Sequence, residues 1–384
     1  MRAGIYVHIP FCPGKCRYCS FNSVPYDDQA AKLYVDALVR EIETCPVDVE
    51  PSIIYIGGGT PTTLPADGLA SVIGAINGRF GLWNEPTGHK SGDIVPPEFT
   101  IEANPGTVSG LDVKALTALG VNRVSLGAQS FSPSELAMLG RLHGPADVAH
   151  AAGTLRRGGI TNISLDLIYS LPGQDMRSWK ESLAQTVDLN PEHISMYDLT
   201  LEEGTPLYSE VRAGRLVMPP EPVQVEMYLC AVDFLETAGY RRYEISNFAR
   251  PGFACRHNIN YWDCGEYLGF GAGAHSYAGG RRTKNIDGIT YYTAAAGAGG
   301  PSLAESEELS PGDMEREFIM LGLRKAAGLE FAEFRRRFGH DLAESRREAI
   351  ARLEGAGLVE TSGGRLRLTM SGVLVSNAVI RELF

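Results

Sequence analysis

Six short segments, AGIYVHI, SIIYIGG, FTIEAN, RVSLGA, ISLDLIY and HISMYDLTL, recur through the first half of the chain as near-continuous apolar runs. A strand that is apolar on both faces needs cover on both. A parallel sheet wrapped by helices supplies that cover, whereas a half-solvated antiparallel sheet does not. Amphipathic stretches between the runs, AKLYVDALVREIE, GLASVIGAI, GLDVKALTAL, PADVAHAAGTLRR and SWKESLAQTVDL, are the right-handed crossovers such a sheet requires. The expected fold class is therefore α/β, a partial (β/α)6 barrel of TIM type over residues 1–205. A Gly- and Pro-rich stretch at 84–97, NEPTGHKSGDIVPP, reads as an exposed insertion without chemistry.

The pattern changes after residue 205. A helix EPVQVEMYLCAVDFLETAG, a short strand YRRYEISNF and an aromatic- and Gly-rich run make a small α+β extension over 206–300, closed by a linker-like AAAGAGGPSLAESEEL. Residues 301–384 read as helices followed by alternating GRLRLT and a last helix, the order of a winged-helix-like domain. Such domains often bind DNA, but residues 324–352 carry eight basic and five acidic side chains, so packing against the barrel is the expected role. The whole chain bears 35 basic and 46 acidic residues, a formal charge of −11 that disfavours a phosphate backbone as partner. No apolar run is long enough to cross a bilayer, and MRAGIYVHIP reaches its first strand too soon to hold a signal peptide, so the expected location is the cytoplasm.

Three of the seven cysteines, Cys12, Cys16 and Cys19, sit in HIPFCPGKCRYCSFNS, a crowding that fits metal ligation in a reducing compartment better than a disulfide framework. The spacing CxxxCxxC lets three thiolates from one loop converge on a single 4Fe-4S cluster while leaving one iron without a protein ligand. Catalytic metals keep such openings. A zinc site completed by His8 or a distant residue is the alternative. Cys45 and Cys230 fall on apolar helix faces and are assigned to packing.

The cysteine motif after a first strand, with Tyr18 just before the third Cys, resembles the radical S-adenosylmethionine superfamily. That resemblance implies that the open iron is chelated by S-adenosylmethionine. A barrel puts its site at the C-terminal strand ends, and polar residues fall there: the Gly-rich turn with Gly58, Gly59 and Thr60, then Glu102, Gln129 and Asp166. By resemblance the turn meets the amino end of the cofactor. Glu102, Gln129, Arg141 and Asp166 bind its ribose, adenine or carboxylate, and Tyr6 and Tyr18 lie beside it.

The ordered segments YVHIPFC, GGGTPT, SLGAQSF, DLIYSLPGQ and YEISNFARPGFACRHNINYW are similar to the coproporphyrinogen dehydrogenase-like branch of that superfamily, over nearly the whole chain. The branch holds an enzyme, the oxygen-independent coproporphyrinogen III dehydrogenase, and haem chaperones that bind haem and pass it to acceptor haemoproteins such as respiratory ones. The enzyme pattern has a fourth cysteine where this chain has Phe21, and an N-terminal extension where this chain starts on its first strand; HNxxYW, here His257 to Trp262, belongs to the chaperones. The resemblance thus implies a 4Fe-4S cluster, S-adenosylmethionine, haem and an electron donor for the cluster, with radical decarboxylation in haem biosynthesis as the alternative. His257, Tyr261 and Trp262 are the candidate haem residues, since an imidazole can ligate iron and aromatic rings can cover a macrocycle. Cys255, Cys264, His8 and His275 remain rival ligands, and core packing by the aromatic cluster is the plainer reading.

Overall fold

The computed structural model describes residues 3–81, 97–297 and 302–384. Most of the insertion expected at 84–97 lies outside them. The crossover helices form as their apolar spacing predicts. Asp28–Glu43 is capped by the Asp27 carboxylate on the Ala30 N–H and turns Leu38 and Ile42 inward, while Met176–Asp188 is capped by Asp175 and buries Trp179 and Leu183.

Among the described residues twelve strands make one sheet. We number them β1 (Gly4–Ile9), β2 (Ile53–Gly58), β3 (Glu98–Ala103), β4 (Arg123–Gln129), β5 (Asn162–Tyr169), β6 (His193–Asp198), β7 (Arg241–Arg242), β8 (Asn247–Ala249), β9 (Tyr267–Phe270), β10 (His275–Ala278), β11 (Arg281–Asn285) and β12 (Leu303–Glu308), in spatial order β12-β11-β10-β9-β1-β2-β3-β4-β5-β6-β8-β7. β1 to β6 are mutually parallel, as expected. β9 joins them as a further parallel strand beside β1, with Tyr6 opposite Gly269. Residues 206–300 therefore extend the same sheet at both edges. The linker-like stretch differs from expectation too: Ile289–Gly297 is helical and β12 pairs with β11.

The strands are not apolar on both faces. Ile54, Ile56, Ile101, Val124, Leu126, Leu165, Leu167, Ile194 and Met196 belong to one buried core with Leu38, Ile73, Val148, Leu155 and Leu183 of the helices. The alternate positions Tyr55, Glu102, Arg123, Ser125, Asp166, Ser195 and Tyr197 line a cavity on the concave side. The fold is an open α/β barrel with an apolar outer shell and a polar lumen.

The C-terminal part carries helices Pro311–Gly322, Phe331–Phe338 and Arg347–Gly355 and a three-stranded antiparallel sheet, the winged-helix-like arrangement. Several of its basic side chains are committed: Arg336 and Arg337 pair with Glu333, Arg346 with Glu315 and Arg352 with Glu382. It packs on the barrel through the Arg324 guanidinium over the Trp262 ring, 4.9 Å from its centre, and an ion pair between Lys325 and Asp263. Among the described residues no helix is long and apolar enough to cross a membrane.

Candidate functional site

The cavity, about 420 Å³, opens at the C-terminal ends of the parallel strands and is lined by Cys12, Cys16, Cys19, Tyr18, Gly58, Gly59, Thr60, Glu102, Gln129, Arg141 and Asp166. Fourteen residues offered by the sequence as cluster, cofactor or haem contacts beside Tyr6 thus divide cleanly. Those expected around the cluster and the sulfonium cofactor share one wall, whereas His257, Tyr261 and Trp262 do not reach it.

Side chains just past two strand ends, and Arg141 from the loop after the helix Pro133–Leu139, hold the cysteine loop. Arg141 donates from Nη1 to Cys16 Sγ at 3.4 Å and from Nη2 to Asn104 Oδ1 at 2.5 Å and the Gly127 carbonyl at 2.7 Å. Asn104 Nδ2 donates to Thr60 Oγ1 at 2.8 Å, and Thr60 in turn donates to Cys12 Sγ at 3.6 Å. One chain of hydrogen bonds therefore connects two of the three sulfurs. Asn104 is a site residue that the sequence reading missed; its position two residues after Glu102 and directly before Pro105, just past a strand end, was the available signal. Burial raises the Cys12 and Cys19 thiols, with Thr60 acting the other way on Cys12, and the Phe21 backbone and Lys15 on Cys19.

The glycine turn serves the protein's own packing. At Gly58, whose φ is +115°, a Cβ would stand 2.5 Å from the His8 ring, and at Gly59 it would stand 2.7 Å from the Phe11 carbonyl oxygen. Gly127 keeps room for Gln129, Asn104 and Arg141 in the same way. Gln129 follows a register shift in β4 and sits at φ +68°, unusual for a residue with a Cβ; the bulge turns its side chain into the cavity.

Of the four carboxyl groups that line the cavity, Glu102 and Asp166 stand at inward strand positions. Glu102 accepts from the Tyr55 hydroxyl at 2.7 Å and the Gly58 N–H at 3.0 Å, and burial pushes it up to about 7 against those bonds. Asp166 accepts from Ser125 at 2.9 Å and Ser164 at 3.1 Å, and burial raises it as well. A group near 7 can offer a charged acceptor or a proton at neutral pH.

Tyr6 lies behind the lining. Its ring is stacked 6.3 Å from Tyr55 and its hydroxyl meets His8 Nδ1 at 3.0 Å. His8 Nε2 faces the Asn22 carbonyl at 2.8 Å, so it must carry the proton and donate, and burial keeps the ring neutral; Nδ1 accepts from Tyr6. Neither nitrogen of His8 keeps a free lone pair to complete a zinc site. His257 is 5% exposed, stacked 4.3 Å on Tyr55 and edge-on to Tyr261 at 4.6 Å, while Trp262 faces Arg324. The helix Arg256–Trp262 instead meets the cavity through Asn258 and the Cys255 before it, its first N–H groups held by the Glu98 carboxylate. Of the rival ligands, His275 lies on β10, and Cys264 packs against the core behind the barrel.

The residues fit a cluster better than a mononuclear ion. Three thiols of one loop line one cavity beside an arginine and a threonine that can hydrogen-bond sulfur, the surroundings an iron–sulfur centre uses. Among the described residues no three His, Cys, Asp or Glu side chains gather as around a single ion. A cubane takes its thiolates on separate irons and does not require that of them.

Comparison with known proteins follows the same lines. The Radical SAM superfamily model matches residues 6–185 and the HemN C-terminal domain model matches 309–375. Heme chaperone HemW of Bacillus subtilis (strain 168) is 37% identical over 377 residues, covering 97% of each chain. The protein of the same name from Lactococcus lactis subsp. lactis is 36% identical over 98% of this chain and 96% of its own. Coproporphyrinogen III oxidase (HemN) from Escherichia coli superposes with a TM-score of 0.84 at 23% identity, over 100% of this chain and 90% of that one, a likeness of fold.

Proposed function

Because the chain belongs to the radical SAM superfamily, in its coproporphyrinogen dehydrogenase-like branch and alongside the HemW haem chaperones, we propose that it binds a 4Fe-4S cluster through Cys12, Cys16 and Cys19, binds S-adenosylmethionine at the open iron, and carries haem to acceptor haemoproteins in the cytoplasm. The observation that carries this reading is the shared wall: the three thiols line one cavity with Glu102, Gln129, Arg141 and Asp166. Phe21, 68% exposed at the mouth where the enzyme pattern has a cysteine, supports the chaperone over the dehydrogenase.

In this proposal Arg141 and Thr60 hydrogen-bond the ligating sulfurs and keep the loop in place. Glu102 and Asp166 take the amino and hydroxyl donors of the bound sulfonium nucleoside, and Gln129 reads its base edge. Cluster and cofactor together supply one-electron reductive chemistry at the sulfonium, fed by an external electron donor. Haem handling falls to the segment around Arg256–Trp262. Asn258 and Cys255 already face the cavity, and ligation by His257 requires Tyr55, stacked on it at 4.3 Å, to turn aside.

The test is a side-by-side incubation of the anaerobically reconstituted protein with haem and with coproporphyrinogen III. The proposal expects haem absorbance to co-elute with the protein on gel filtration and coproporphyrinogen III to persist. Absence of retained haem, or consumption of the porphyrinogen with formation of 5′-deoxyadenosine, contradicts it.

A further inference from the structure

Arg123 opens β4 and is 2% exposed, yet it lines the cavity. A guanidinium taken out of water normally finds a carboxylate at hydrogen-bond range, because leaving it unpaired is costly. Among the described residues Arg123 forms no ion pair with a carboxylate, and its Nε has no hydrogen-bond partner. The neighbouring acid that could have paired with it, Glu98, is spent on the backbone N–H groups of Arg256 and His257 and on the Cys255 thiol. Asp166 is likewise committed to Ser125 and Ser164. Burial opposes the charge of Arg123, and of the groups around it Glu98 supplies the negative charge that favours the cation.

We propose that Arg123 is the carboxylate-binding residue at the closed end of the cavity, receiving an anionic side arm of the ligand that fills it. A planar guanidinium presents paired N–H donors matched to the two oxygens of a carboxylate. Its place in the lumen separates this carboxylate from one at the cluster end. Arg141, which reaches Cys16, is bonded to the Gly127 carbonyl, and Arg123 lies four residues below Gly127 on the same strand, roughly 13 Å at strand rise. A small ligand with its carboxylate at the cluster does not also reach Arg123. The propionate arm of a porphyrin is the matching group, an assignment that rests on the haem-binding reading.

Two ligand pairs test the site on the whole reconstituted protein by equilibrium titration: haem against its dimethyl ester, and S-adenosylmethionine against its decarboxylated analogue, each with wild type, Arg123→Gln and Arg123→Lys. The expected result is that wild type prefers free-acid haem by about tenfold to a hundredfold, that Arg123→Gln loses the preference and Arg123→Lys keeps part of it, and that the S-adenosylmethionine pair is unaffected. An Arg123-dependent preference in the S-adenosylmethionine pair instead supports the site and assigns the carboxylate to the methionyl group. No Arg123-dependent preference in either pair overturns it. Failure of both haem forms to bind refutes the chaperone reading alone, and the S-adenosylmethionine pair then decides on Arg123. If neither variant folds, equal wild-type affinity for acid and analogue in both pairs overturns the site.

Discussion

Tyr55→Phe isolates the electrostatics of the cavity wall. The substitution keeps the ring that stacks on Tyr6 and His257 and deletes only the hydroxyl that Glu102 accepts at 2.7 Å. A hydrogen bond to a charged acceptor contributes about 1.5–3 kcal/mol and one to a neutral acceptor about 1 kcal/mol. The difference, about 1.4 kcal/mol, is one pKa unit, so Glu102 moves from about 7 to roughly 8 in the variant. The sign follows from linkage. The folded carboxyl binds its proton more tightly than the unfolded one, so its stabilising contribution is complete below the unfolded pKa and is lost as pH rises through the folded pKa. Wild type sheds that contribution up to about pH 7, and the variant continues to shed it to roughly pH 8. Urea denaturation of both proteins from pH 5 to 9 should therefore show Tyr55→Phe less stable by about 1 kcal/mol at pH 5 and by about 2.4 kcal/mol at pH 9. Other titrating groups cancel in the difference. A destabilisation that is flat across this range refutes the coupling of Tyr55 to a titrating Glu102.

Gly58→Ala places a Cβ against the His8 ring at a φ of +115° and should cost about 2–4 kcal/mol of stability in the same denaturation assay. Arg141→Met removes the donor to Cys16, Asn104 and Gly127; iron retained after anaerobic desalting should fall, and the protein should lose about 2–4 kcal/mol in urea denaturation. His257 is lowered to about 3 by burial, then by Arg123, so unfolding takes up its proton below the ordinary histidine range and wild type loses stability as pH falls from about 6.5 toward 3. His257→Phe, which preserves a ring against Tyr55, should flatten that loss by about 1.4 kcal/mol per pH unit in denaturation curves taken at successive pH values.

The parallel strands were legible because both faces are enclosed, and the side chains at their C-terminal ends, Glu102, Gln129 and Asp166, were legible because a barrel collects them at one mouth. Alternation within the strands was hidden. In ISLDLIY the inward positions are Ser164, Asp166 and Ile168, too few polar residues to break an apolar average, so a polar lumen read as a second apolar face. Arg123 was passed over for the same reason: it opens a strand at the end opposite the cysteines. β9 was obscured by its four-residue length and its glycine-rich neighbours, since periodicity needs a longer window. The residues of HNINYW were read by chemical type, which says nothing of direction. Tertiary packing turns His257 behind Tyr55 and Trp262 toward Arg324, leaving Asn258 at the cavity.

Electron paramagnetic resonance of the anaerobically reconstituted, reduced protein, recorded before and after adding S-adenosylmethionine, probes the open iron itself. The account predicts a 4Fe-4S signal that shifts on addition and is lost when Cys12, Cys16 or Cys19 is changed to Ala. Zinc in place of iron, or a cluster signal that S-adenosylmethionine leaves unmoved, contradicts it.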